Sequence, residues 1–172
     1  RDRSLIIQQG MIPGIKVDMG AKPLAGSVEE TVTEGLDGLR ERLKEYSQLG
    51  AQFTKWRGVI NIGDNLPTSY SIKTNAHALA RFAALSQEAG LVPIVEPEVL
   101  MDGEHDIDEC FRVTQLTLRE VYYELSLQNV LLEGTLLKPN MVLSGKDAMQ
   151  RVGPEEVATK TLEDVKKSIG ML

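Results

Sequence analysis

One charged residue stands near the end of each of four strand-like segments, at Lys16, Lys55, Glu96 and Lys138, and the intervals between them are 39, 41 and 42 residues. So even a spacing is the mark of one strand-helix unit used four times. A strand of 5 to 8 residues, a turn, a helix of three to five turns and a return loop together fill about 40 residues, and parallel strands need such a crossover. Eight units would need roughly twice this length, so the spacing predicts a partial (β/α)8 TIM barrel of about four consecutive βα units. An open doubly wound parallel sheet is the alternative. It usually carries a glycine-rich phosphate turn after its first strand, and no GxGxxG occurs here.

Periodicity places the elements. IPGIKVD (12–18) reads as the first strand. Ser27 with Glu30 reads as a capping box opening a helix along which Val32, Leu36, Leu39, Leu43 and Tyr46 recur until Gly50. FTKWRGVINI from Phe53 reads as the second strand, a helix follows from about Thr68 to Glu88, and LVPIVEPEVL reads as the third strand. Asp106 is placed to cap a helix turning Cys110, Val113, Leu116 and Val121 inward. VLLEGTLLKPN reads as the fourth strand. Gly153 and Pro154 then open a last helix with Val157, Leu162, Val165 and Ile169 on its apolar side.

At 172 residues and 42% hydrophobic, the chain is expected to form a single domain, 1–172, with a buried core. No proline-rich or low-complexity linker divides it. A net charge of -6 argues against nucleic acid or an anionic membrane as partner, so an anionic ligand needs a local basic cluster. The single cysteine, Cys110, allows no intrachain disulfide and no thiolate metal site, which fits a reducing, cytoplasmic setting. No apolar run is long enough to span a bilayer, and RDRSLIIQQG lacks the long apolar region of a secretion signal. A start at Arg1 rather than methionine points to a processed or partial sequence.

Residues two apart on a strand share a face, which pairs Lys16 with Asp18, Lys55 with Arg57 and Glu96 with Glu98, and Lys138 adds a fourth strand. A lone lysine at a strand end ordinarily reaches solvent along its own stem. Several buried or half-buried charges together are costly unless they pair with one another or with a ligand, and such clusters concentrate at functional sites. A lysine beside other cations is pushed toward its neutral form, which attacks carbonyls. Lys138 near Lys55 and Arg57 therefore suits imine formation, with Glu96 moving the protons.

These segments resemble the class I, Schiff-base fructose-bisphosphate aldolases. LLEGTLLKPN (131–140) is similar to that family's signature around its imine-forming lysine. GIKVD (14–18), PLAG (23–26), EGLDGLRERLKEY (34–46), FTKWRGVI (53–60) and VPIVEPEVLMDGEHD (92–106) resemble further family segments. The resemblance implies a TIM barrel of which residues 1–172 are the central half. It implies aldol cleavage of fructose 1,6-bisphosphate in glycolysis without a cofactor, and a homo-oligomeric full-length enzyme. By position it assigns Lys138 to the imine, Glu96 to acid/base work, Lys55 to carbinolamine chemistry and bond cleavage, and Glu98 to a companion carboxylate. Lys16 and Arg57 are assigned to the bisphosphate site. The family also carries an acidic residue on an earlier strand, phosphate-binding groups on later strands and a functional C-terminal tail, which have no counterpart in these 172 residues. Met19, where many relatives have lysine, and the ending LEDVKKSIGML also depart from its pattern. A noncatalytic interaction module and a Schiff-base enzyme for another sugar phosphate are the competing readings.

Weaker signals point to ordinary roles. His77 and His105 lack the paired spacing of a metal site, and SGK (144–146) is too short for a phosphate loop. Phe82, Phe111 and Tyr123 sit at helical positions expected to be core.

Overall fold

The computed structural model describes residues 3–170. A short helix α1 (Arg3–Gln8) leads into strand β1 (Gly14–Lys16), and β2 (Ala21–Pro23) and β3 (Thr31–Thr33) then form an antiparallel hairpin. Next come α2 (Leu39–Gln48), β4 (Phe53–Ile60), α3 (Ser69–Glu88), β5 (Val92–Val99), α4 (Ile107–Leu127), β6 (Leu136–Leu137) and α5 (Pro154–Ile169). The main sheet has the order β1-β4-β5-β6, with every neighbouring pair parallel.

This order decides between the two α/β architectures. Right-handed crossovers between successive neighbours keep α2, α3 and α4 on one face, because nothing reverses the direction of winding. A doubly wound sheet needs that reversal. Strand β4 shows the result: Thr54, Trp56, Gly58 and Ile60 are buried, while Phe53, Lys55, Arg57 and Val59 are only half-buried on the other face. Trp56 stacks on Phe82 of α3 with ring centroids 5.6 Å apart, and Thr54 Oγ1 donates to Ser86 Oγ at 2.9 Å. The sheet is thus an arc of barrel wall, with apolar packing outside and charge inside.

Two apolar clusters support the arc. The larger joins Val17, Leu39, Leu43, Trp56, Leu79, Phe82, Val95 and Leu118 across α2, α3, α4 and the strands. The smaller, holding Ile60, Val99, Ile107, Cys110, Val113 and Val142, carries the ends of β4 and β5. Asp106 caps α4 as expected, accepting from the Glu109 N–H at 2.8 Å, and Thr68 caps α3.

Several expected elements differ. The helix expected from Ser27 begins only at Leu39, and its first half holds strand β3 and turns instead. Thr31, Val32 and Thr33 are β-branched and pair with β2, while Gly35 (φ +130°) and Gly38 (φ +64°) turn the chain where no helix can pass. Ser27 does donate to Glu30, at 2.7 Å, but Glu30 serves the start of α3 instead, accepting from Thr68 N and Oγ1. The long fourth strand reduces to Leu136–Leu137 after a 3-10 turn at Leu132–Gly134. Pro139 has no N–H to continue the ladder. In α4 Leu116 is exposed and Thr117 and Leu118 take its place inside; Tyr123 is exposed too. Helix α5 begins at Pro154 as expected, but Leu162 and Ile169 face outward. Its packing stripe runs through Val157, Thr161, Asp164 and Ser168, spaced by three or four residues, and at 100° per residue Leu162 and Ile169 lie well to one side of it.

Candidate active site

The strand registers gather the inner-face charges. Lys16 of β1 lies opposite Lys55 of β4, and Arg57 lies opposite Glu96 of β5. Beyond β6 the Lys138 N–H donates to Val95 O at 2.9 Å, which carries the ladder one residue further and brings Lys138 beside Glu96. Beyond β1 the Arg57 N–H donates to Asp18 Oδ2 at 3.3 Å. One row across four strands therefore reads Asp18, Arg57, Glu96, Lys138, alternating in sign. Lys16 and Lys55 stand one step below it and Glu98 one step above.

Glu96 is the centre of this arrangement. Its side chain is 5% exposed; Oε1 accepts a hydrogen bond from Lys138 Nζ, and Oε2 lies 2.9 Å from Lys55 Nζ in a charge contact without hydrogen-bond alignment. Burial opposes ionisation of Glu96, but the Lys138 and Lys55 ammoniums outweigh it and hold the carboxyl below the usual carboxylate range. Lys138 itself is 60% exposed, so its amine stands at the open side of the sheet while its proton acceptor is buried. Arg57 Nε donates to Glu98 Oε2, and this bond holds the guanidinium charge even more firmly than usual. Four cations and three carboxylates leave one net positive charge, the local basic cluster that an anionic ligand of this acidic chain requires.

All six anticipated residues, Lys16, Lys55, Arg57, Glu96, Glu98 and Lys138, thus share one inner face. The expected contact among cations is altered in one respect, for Lys138 meets Lys55 across the Glu96 carboxylate rather than directly. Two contributors were not anticipated. Asp18 had been only the partner of Lys16, yet it also meets Lys55 and Arg57. Asn140 Oδ1 accepts from the Val99 N–H at 3.1 Å, standing in for the backbone acceptor that β6 ceases to supply past Pro139. Its position two residues after Lys138, beyond a proline, was the available signal.

The histidines stand apart from the cluster. His77 Nδ1 lies 3.1 Å from Glu124 Oε2, and His105 lies beside Gly103. Among the described residues no group of three or more His, Cys, Asp or Glu side chains is arranged to hold a metal. No described helix is long and apolar enough to cross a membrane.

Comparisons with known proteins agree with this fold. The family model for "Fructose-bisphosphate aldolase class-I" matches residues 3–171. The "Probable fructose-bisphosphate aldolase class 1" of Xanthomonas campestris pv. campestris is 60% identical over 160 residues, 93% of this chain and 48% of that protein. "Fructose-bisphosphate aldolase 4, cytosolic" of Arabidopsis thaliana is 51% identical over 94% of this chain and 41% of its own length. The solved fructose-bisphosphate aldolase of Plasmodium falciparum superposes with a TM-score of 0.95 at 45% identity, covering 96% of this chain and 48% of that one. The chain spans about half the length of the curated relatives it matches.

Proposed function

Because the chain belongs to the class I fructose-bisphosphate aldolase family, we propose that its inner-face cluster carries Schiff-base aldol cleavage of fructose 1,6-bisphosphate to dihydroxyacetone phosphate and glyceraldehyde 3-phosphate. The observation that carries this reading is the amine of Lys138 held on one oxygen of buried Glu96 while Lys55 faces the other. Lys138 Nζ gives a proton to Glu96 and attacks the C2 carbonyl carbon. The resulting carbinolamine loses its hydroxyl as water after accepting a proton from Glu96, with Lys55 steadying the carboxylate between transfers. The iminium then draws the C3–C4 bonding pair toward nitrogen as Glu96 removes the C4 hydroxyl proton, releasing the aldehyde. Protonation at C3 and hydrolysis free the ketose phosphate and return Lys138.

Lys16 and Arg57 bind the phosphates in this reading, and Glu98 fixes the Arg57 fork. The four units form the central half of the family's barrel, with the outer edges of β1 and β6 each meeting a further strand. A cytoplasmic homo-oligomer is the corresponding assembly; the compartment is supported by relatives named as cytosolic.

Borohydride reduction in the presence of dihydroxyacetone phosphate tests the assignment. A single adduct is expected, and peptide mapping should locate it on Lys138. An adduct on Lys55 or Lys16 instead would remove Lys138 from its role.

A further inference from the structure

Lys16 and Lys55 are register partners on adjacent strands and point to the same face, a pairing in which like charges repel. The group that compensates is Asp18, whose side chain is only 3% exposed. Its Oδ1 takes the Lys16 ammonium at 2.7 Å and the Gly20 N–H at 3.2 Å. Its Oδ2 accepts from the Arg57 N–H at 3.3 Å and lies 3.8 Å from Lys55 Nζ. Lys55 therefore stands between two buried carboxylates, Asp18 and Glu96. We propose that Asp18 is a positioning residue of the Schiff-base site: it holds Lys16 and Lys55 side by side and draws Lys55 partly away from Glu96, so that Glu96 remains available to Lys138.

The reasoning is electrostatic. A carboxylate buried to this degree is costly unless cations and N–H groups satisfy it, and Asp18 has both. Without its charge, the Lys16 ammonium loses its anion but keeps its hydrogen bond to the Asp18 main-chain oxygen at 2.8 Å, so it stays at the phosphate side. Lys55 is then left with Glu96 alone and competes with Lys138 for the same two oxygens. The predicted damage falls on the chemical step rather than on substrate capture, because a negative charge beside a phosphate site does not itself attract phosphate.

This inference rests on the imine reading above. Its test compares the wild-type protein with the Asp18→Asn and Asp18→Glu variants, recording borohydride trapping with dihydroxyacetone phosphate against concentration, alongside thermal unfolding. Asn keeps an oxygen acceptor for one of the two backbone N–H groups and removes the charge. Asp18→Asn is expected to slow trapping at saturating ligand by tenfold or more, in order of magnitude, without raising the half-saturating concentration. Asp18→Glu, which restores the charge, should recover part of the rate. Trapping by Asp18→Asn at the wild-type rate overturns the proposal, as does a defect confined to the half-saturating concentration. Loss of fold in both variants would overturn it in favour of a purely structural carboxylate. No adduct in the wild-type protein would sink the imine reading and this inference with it, so the wild-type arm separates the two failures.

Discussion

At the scale of single residues, Lys138 depends on neighbours that fix its backbone. The Lys138 N–H is tied to Val95 O, and two residues later Asn140 reaches back to the Val99 N–H while its amide nitrogen donates to Thr114 Oγ1 at 3.2 Å. Pro139, between them, restricts the backbone further. Asn140→Ala leaves a part-buried N–H without its acceptor, at a cost of about 1–3 kcal/mol. It also frees the Lys138 turn to wander from Glu96. The expected outcome is a lower melting temperature together with slower imine trapping, both measurable on one preparation. Asn140→Asp keeps the acceptor oxygen and lets Thr114 donate its hydroxyl, but it loses the donor to Met141 O, so this variant should recover part of the stability. If Asn140→Ala lowered the melting temperature and left trapping untouched, the coupling of this clamp to Lys138 would be refuted.

At the scale of elements, what could be read in advance followed from how local each signal is. Strands β4 and β5 and helices α3 and α4 were legible because long segments repeat their period many times and carry explicit stops such as Gly90 and caps such as Asp106. The charged cluster was legible because alternation along a strand assigns its faces without knowledge of the neighbours. Which charge meets which was not, since register between strands is set by packing across the whole sheet. The hairpin β2–β3 was hidden by a Ser27–Glu30 pair that imitates a helix start while making a tertiary contact with Thr68. The start of helix α5 was legible, but its inward face was not, because that stripe is partly polar. It buries Asp164, whose two oxygens have no hydrogen-bond partner, against the cluster that contains Cys110. Burial raises this carboxyl to about 7; Glu163 adds to the effect and Lys167 opposes it. The unfolded chain loses that proton near the ordinary aspartate value, whereas the folded one keeps it to near neutrality. The folded state thus binds more protons between those limits, and stability falls as pH rises through them, by an amount on the order of a few kcal/mol. Asp164→Ala should therefore raise the melting temperature at about pH 8 and do little at about pH 4. Equal effects at both pH values would show that the carboxyl does not titrate late in the folded protein.

At the scale of the whole molecule, the arc has two open strand edges. Among the described residues strand β1 pairs only with β4 and strand β6 only with β5, so each leaves one row of backbone N–H and C=O groups without a sheet partner there. The inner face between them is half-exposed, and Met11, Ile12, Leu131 and Leu136 are exposed apolar residues on or next to these edges. Eight strands close a barrel, whereas four curve without closing. A polypeptide of these 172 residues is therefore expected to associate with itself through its edges. It should also trap dihydroxyacetone phosphate only slowly, because Lys138, just past the edge strand β6, is supported from one side and the positioning that gives a site its rate is incomplete. Light scattering coupled to size exclusion, run beside the trapping assay and a full-length family member of the kind that aligns with this chain over about half its length, measures both expectations. A monodisperse monomer trapping at the rate of that longer enzyme would show that the four-unit arc is self-sufficient, and the half-barrel reading would fall.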